Sequence, residues 1–366
     1  MTATAPKRGY AVGPALAIAV EGHAATTAVL SRQLGRPETA LTSDPDLIVR
    51  FGAEPPADDL RLLGSDAGFE DERFLVLGRR AGGARASAIR LGEPIELTSS
   101  SGARALPLLV PLLDLAALRK GVLPVHGAVF SFEQHGIAVL GWPHSGKTSA
   151  LLAFLACGAS LVADDRAYVS LEPPHVAGLR TPIELRGHHL LALSRLSHPP
   201  PLRTRAKLRL NLGAARLHAR AARRASPTPL SRLAHRTAGF LADASIATVA
   251  PEQLIEDERG ADIERLDAVF LMVRQLRGPT EVERLSVDAA RERLLALARH
   301  DRSTLRDLTQ RYRFAFPERS DRLLDELEDV EARQIELLAR NVPAFLVSHT
   351  GGSAPGLFEA MVRTWR

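Results

Sequence analysis

The chain has 366 residues, 45% of them hydrophobic and 24% charged, with one cysteine and a formal net charge of +5. That is globular composition with room for about two domains of roughly 100–200 residues each. It excludes an intrachain disulfide and, with no apolar run of ~18 residues, a membrane span, so the expectation is a cytoplasmic protein with no membrane partner.

The first apolar stretch, AVGPALAIAV, follows Lys7 and Arg8 and imitates a signal peptide, but Gly13 and Pro14 interrupt it and Glu21 closes it, so a strand is expected. Three further short apolar runs, DLIVRFG, RFLVLGRR and ASAIRLGEPIELTS, are separated by Pro, Gly, Asp and Ser. Residues 1–118 are therefore read as a strand-rich N-terminal domain that ends in a linker helix over Leu106–Lys120, and 119–366 as a second domain.

In that second domain the pattern predicts strands at Ala128–Phe132 and Ile137–Leu140, a helix from Lys147 to about Cys157 stopped by Gly158, and a strand at Ser160–Ala163. Cys157, at the end of that helix, is expected to be a buried small hydrophobe. Ala167–Leu171, Pro182–Leu185 and Lys207–Leu212 are strand candidates, SHPPPLRT at 197–204 a mobile loop, and 267–286 a hairpin. Helices are predicted at about 287–300, 303–311 and 320–340, and a last strand at Ala344–Ser348, followed by HTGGS, which either lines a site or caps the sheet.

Charge is unevenly spread. Leu185–Ala242 contains no acidic residue and twelve Arg and Lys, leaving 35 basic against 42 acidic residues elsewhere. Within it Arg203, Arg205, Lys207 and Arg209 alternate, and on a strand they would share one face, suited to phosphates or an acidic peptide. The absence of Phe, Tyr and Trp from Leu185 to Gly239 argues against nucleic acid as the partner.

GWPHSGKT at 141–148 fits G-x-x-x-x-G-K-T between an apolar strand and an apolar helix. Glycines let backbone N–H groups converge on phosphate oxygens, the helix directs its N-terminus at the anion, the lysine meets the β- and γ-phosphates, and the threonine can ligate Mg²⁺. The nucleotide-contacting set is Gly141, His144, Ser145, Gly146, Lys147, Thr148 and Ser149. Asp164 and Asp165 follow Lys147 by only 17 and 18 residues. A helix of about 11 residues spans roughly 16 Å and a four- or five-residue strand about the same, so the chain returns to the level of the loop. Two carboxylates there divide the labour: one holds Mg²⁺, the other accepts a proton from an attacking hydroxyl. His126, ahead of the loop, is placed to tune one of them.

VHGAVF at 125–130, the run from Gly141 to Asp165 and IELRG at 183–187 together resemble the catalytic domain of the HPr kinase/phosphorylase family over about residues 119–215. The resemblance implies an α/β fold with a mixed sheet and a P-loop core of the HPr-kinase/phosphoenolpyruvate-carboxykinase kind. It implies ATP and Mg²⁺, Asp164 or Asp165 as general base adjusted by His126, metal ligation by Thr148, Asp165 and Glu184, and Arg186 on the phosphates or developing charge. The chain departs from the bifunctional enzymes in lacking a P-G-R-N-type loop and in carrying Trp142-Pro143-His144. Its layout is similar to HPr-kinase-like proteins encoded with bacterial natural-product pathways, some of which act on a serine of a peptide precursor.

The expected activity is transfer of a γ-phosphoryl group to a hydroxyl of a peptide, protein or small metabolite such as a sugar or nucleoside, with an anionic acceptor and self-association as further expectations. Two other readings stay open on the sequence: a nucleotide-binding regulator or scaffold without phosphoryl transfer, and a decarboxylating relative of phosphoenolpyruvate carboxykinase.

Overall fold

The computed structural model describes residues 8–21, 24–52, 59–80, 83–99, 105–106, 108–196, 198–223, 246–255, 262–319, 322–351 and 354–365. Helix makes up 38% and strand 33%, so the fold is mixed α/β with neither class dominant.

The N-terminal part forms a nine-stranded sheet: β1 (Arg8–Val12), β2 (Leu16–Glu21), β3 (Thr39–Ala40), β4 (Leu47–Phe51), β5 (Arg61–Leu62), β6 (Ala67–Glu70), β7 (Arg73–Arg80), β8 (Gly83–Arg90) and β9 (Ile95–Ser99), in the order β3-β1-β2-β4-β9-β8-β7-β6-β5. Helix α1 (Ala24–Leu34) connects β2 to β3, and α2 (Leu109–Arg119) leads out of the sheet. Helix α2 buries Leu109, Leu112, Leu113, Leu115 and Leu118, and one hydrophobic cluster joins it to Ile18, Val49 and Leu97 of this sheet and to Tyr168 of the next. A helix apolar on every side needs neighbours on every side. The linker segment of the sequence is thus a core element.

The second sheet contains β10 (Leu123–Phe132), β11 (His135–Gly141), β12 (Ser160–Ala163), β13 (Arg166–Leu171), β14 (Pro174–Leu179), β17 (Asp262–Ile263), β18 (Ala268–Arg274), β19 (Glu281–Arg284) and β20 (Ala344–His349). Its order is β17-β14-β13-β10-β11-β18-β20-β19, with β12 also on β10. Strands β15 (Ile183–Leu185) and β16 (Ala247–Val249) form a separate two-stranded ribbon.

The helices of this half are α3 (Lys147–Leu155), α4 (Leu190–Leu193), α5 (Leu202–Arg223), α6 (Val287–Asp301), α7 (Ser303–Ala315), α8 (Arg322–Asn341) and α9 (Ala354–Trp365). Alternate side chains of the central strands serve different layers. Ile137, Val139, Phe270 and Met272 join α3 and α9, whereas Ala138, Leu140, Val269 and Leu271 join Leu294 of α6 and Leu338 of α8. Both faces are covered, which explains the unbroken apolar runs IAVL and AVFLM.

Strand direction decides where the loop and the aspartates meet. Strand β10 is antiparallel to β11, to β12 and to β13. Hence β11 and β12 point the same way with β10 between them, and β18 and β20 run parallel to β11. The C-terminal ends of all four, carrying Gly141, Asp164, Arg274 and His349, lie at one edge.

Four expectations need correction. Residues 267–286 are no hairpin: β20 lies between β18 and β19, because its apolar AFLV takes the buried central place and the charged EVER of β19 takes the edge. Lys207–Leu212 is helix, not strand, within α5, which packs Leu208 and Asn211 inward. Residues two apart on a helix are about 200° apart and residues four apart about 40°, so Arg203 and Lys207 fall on one side of α5 and Arg205 and Arg209 on another, and the four share no single face. The loop expected over 197–204 gives way to α5 at Leu202, with residue 197 outside the described residues. Cys157 is exposed, because α3 stops at Leu155 and leaves it in the closing turn. Arg224, Arg232 and Arg236 of the basic segment, and residues 352–353 of HTGGS, lie outside the described residues.

Candidate functional site

Strand β11 delivers Gly141 to the sheet edge, and the chain turns through 142–146 into α3. Gly146 caps that helix at φ +108, and a Cβ there would stand 2.6 Å from Cε1 of His349. Both the left-handed backbone and the missing volume demand glycine. His144 also takes a positive φ of 64°, which costs a non-glycine residue and is typical of constrained loops. Trp142 leaves the loop half-exposed and stacks on His300 at 4.4 Å between ring centroids.

Lys147 is buried, and its ammonium donates to the carbonyls of Gly141 at 2.7 Å and Trp142 at 3.3 Å. Ser145 Oγ is buried without a hydrogen-bond partner. The first backbone N–H groups of any helix also lack intrahelical acceptors, here those of Lys147, Thr148 and Ser149. The loop therefore offers an anion several donors at once.

Across from it, Thr148 Oγ1 donates to Asp164 Oδ1 at 3.2 Å. Asp165 Oδ1 lies 3.0 Å from His126 Nε2, and Asp301 Oδ1 lies 3.0 Å from His126 Nδ1. The Asp164-Asp165 pair interrupts an otherwise continuous edge, since β12 and β13 flank it and both pair with β10. The Gly127 N–H donates to the Asp165 carbonyl at 3.0 Å, which holds the interruption in register. Gly127 is required by close approach, because a Cβ would meet the Val139 carbonyl oxygen at 2.4 Å.

Below the carboxylates lies a buried ionic network. Arg302 reaches Asp114 of α2 at 3.2 Å and Glu331 of α8 at 3.1 Å, and Arg166 reaches Asp114 at 3.4 Å. Arg166 follows Asp165 and Arg302 follows Asp301, so this network anchors both backbones that flank His126.

The electrostatics follow from these contacts. Hydrogen bonds to Asp165 and Asp301 raise the His126 pKa against the opposing cost of burial. A carboxylate on each ring nitrogen favours the imidazolium, which can donate from both. The same bond to His126 holds Asp165 below the usual carboxylate range; its side chain is 57% exposed, so the contact rather than burial governs it. Burial pushes Asp164 from its ordinary 3.8 up to about 6, against the opposing Thr148 hydrogen bond. Burial also lowers Lys147, offset by Asp301, Asp165 and Asp164.

The residues expected from the sequence fall into three places. Gly141, His144, Ser145, Gly146, Lys147, Thr148 and Ser149 form the loop and the first turn of α3. Asp164, Asp165 and His126 stand beside it. Of the residues expected at the metal, Thr148 is hydrogen-bonded to Asp164, and Asp165 turns to His126. Glu184 is exposed on β15 opposite Thr248, and no hydrogen bond or ion pair joins it to the aspartates among the described residues. Among the described residues no group of three or more His, Cys, Asp or Glu could hold a metal by itself. Arg186 begins the corner after β15, where its N–H donates to His189 Nδ1 at 3.1 Å and the Gly187 N–H to Asn211 of α5 at 2.6 Å.

Sequence reasoning missed Asp301 and His300 altogether; both read as the polar end of an amphipathic helix. His349, from the segment expected to line or cap the site, does both. Its Nδ1 accepts from the Gly351 N–H at 3.0 Å, which leaves Nε2 to donate to the Ser145 carbonyl at 2.6 Å. No described helix is long and apolar enough to cross a membrane. No protein-family model matches the chain, and no curated protein matches it.

Proposed function

We propose that this protein is an ATP- and Mg²⁺-dependent kinase, of the HPr-kinase-like kind that its motifs resemble, which transfers the γ-phosphoryl group to a hydroxyl on a peptide, protein or small metabolite. The observation that carries this reading is the pairing of Thr148 with Asp164 at 3.2 Å while Asp165 is held separately by His126 at 3.0 Å. One carboxylate is thereby available to a cation and the other to a proton.

The donor set suits Mg²⁺. A threonine hydroxyl and a carboxylate are hard oxygen ligands, and Mg²⁺ at a nucleotide takes its remaining positions from phosphates and water rather than from a protein cage. Bound there, Mg²⁺ would supply charge neutralisation across the β- and γ-phosphates.

The chain's own residues account for the rest. The loop N–H groups and Ser145 Oγ receive the phosphates, and Lys147 exchanges the carbonyls of Gly141 and Trp142 for phosphate oxygens. Asp165 accepts the acceptor hydroxyl's proton as its oxygen bonds to the γ-phosphorus and the bond to the ADP oxygen breaks. Asp165 then returns the proton to solvent. The imidazolium of His126 keeps Asp165 ionised before the step, and Asp301 fixes the ring.

Titration calorimetry with MgATP, using Lys147→Ala as control, tests this directly. Micromolar to millimolar affinity lost in the variant is expected, and no affinity in the wild type would overturn it. Asp165→Asn should then bind MgATP but fail in transfer to a hydroxyl. If it turns over any identified acceptor at the wild-type rate, a nucleotide-binding regulator becomes the better description.

A further inference from the structure

The two flanks of the glycine-rich loop carry opposite charge. Asp164, Asp165 and Asp301 occupy one. The other is formed by the ends of β18 and β20, and it presents Arg274 and His349.

Arg274 is the last residue of β18 and pairs with His349 of β20. Its guanidinium lies against the backbone of Gly351, with Nη2 3.3 Å from where a Cβ would stand. His349 in turn touches the loop through the Ser145 carbonyl at 2.6 Å. The Arg274–His349–Gly351 corner therefore borders the loop. Arg274 is exposed and has no hydrogen bond or ion pair among the described residues. On the aspartate side, by contrast, Arg166 and Arg302 are held by carboxylates.

We propose that Arg274 forms an oxyanion subsite on the flank of the loop opposite the aspartates, which binds a phosphate or carboxylate group of the nucleotide donor or of the acceptor. Guanidinium groups suit this, since their planar forks match both groups bidentately. The proposal deepens the kinase reading and rests on it for the position of the donor.

The test uses the full chain, calorimetry and four ligand conditions: MgATP, inorganic phosphate, inorganic tripolyphosphate, and phosphate added after saturation with the MgATP analogue that has a non-hydrolysable β–γ bridge. Arg274→Gln should keep the wild-type melting temperature, because the side chain is exposed. If the subsite serves the donor, MgATP and tripolyphosphate weaken about tenfold or more in Arg274→Gln. If it serves the acceptor, MgATP is unchanged and the phosphate bound beside the analogue is lost. Failure of the kinase reading has its own signature: the wild type binds no MgATP, yet binds phosphate in a manner lost in Arg274→Gln and kept in Lys147→Ala. Wild-type affinity of Arg274→Gln under all four conditions, or no anion binding by the wild type at all, overturns the subsite.

Discussion

His126 Nδ1 lies 3.0 Å from Asp301 Oδ1, a contact that spans 175 positions of sequence. It turns a two-residue pair, His126 with Asp165, into a three-residue relay. Asp301→Asn should lower the His126 pKa, read from the ring proton shifts by NMR. A histidine whose folded pKa is raised contributes stability that is fully present below its unfolded value and is lost as pH rises through the folded one. The variant should therefore be less stable than wild type by roughly 1–3 kcal/mol at pH 5, with a smaller deficit at pH 9. An equal deficit at both would mean that Asp301 acts on packing and not on the imidazolium.

Asp164 carries the opposite linkage. Its pKa rises from 3.8 to about 6 on folding, so the folded state binds the extra proton between those values. Stability falls as pH climbs through that window and stays reduced above it. Asp164→Asn, which preserves the Thr148 hydrogen bond, should raise stability by about 1–3 kcal/mol at pH 8 and leave it near wild type at pH 4. Urea denaturation at the two values decides it. On the proposed kinase reading, the same variant should lose phosphoryl transfer.

Gly127→Ala should destabilise the protein by about 1–3 kcal/mol. The added methyl meets the Val139 carbonyl oxygen at 2.4 Å and Leu140 Cδ2 at 2.6 Å, both in the central sheet, where neither can yield cheaply. Thermal unfolding measures it, and a neutral result would show that β10 and β11 can part without cost.

Arg302 is 3% exposed, donates to the Pro124 carbonyl and lies 3.2 Å from Asp114 and 3.1 Å from Glu331. Arg302→Met leaves Glu331 without this partner and Asp114 with Arg166, and should cost about 3–5 kcal/mol. Adding Glu331→Gln should recover most of that, because the penalty belongs to the unpaired charge. No recovery in the double variant would assign the loss to packing. Chemical denaturation of the single and double variants makes the comparison.

Much of the second sheet was legible before any coordinates. The apolar runs IAVL, SLVA and AFLVS, the caps around Lys147–Gly158 and the spacing to Asp164-Asp165 predicted β11, α3, β12 and β20 and their common edge, since these are local patterns with a regular period. The segment 202–212 misled because alternation of Arg and Lys mimics a strand, while the side chains that decide its state are Leu208, which joins the core, and Asn211, which accepts from the Gly187 N–H. β18 and β19 misled for a different reason. A hairpin is the economical reading of adjacent strands, and only β20, some sixty residues later, shows that it separates them.

For the site, the sequence alone determined the donors of the loop, the presence of two nearby carboxylates and the histidine–glycine step ahead of them, because each depends on short spacing within one strand–helix–strand unit. Tertiary structure decided which partner each carboxylate meets. Asp164 and Asp165 are neighbours in the chain, but the bend between β12 and β13 turns their side chains apart, so Thr148 meets the first and His126 the second. It also supplied Asp301 and Arg274, and it leaves Glu184 with no hydrogen bond or ion pair to the aspartates among the described residues. Those assignments depend on how α6, β18 and β15 pack against the loop edge, over separations that no local periodicity encodes.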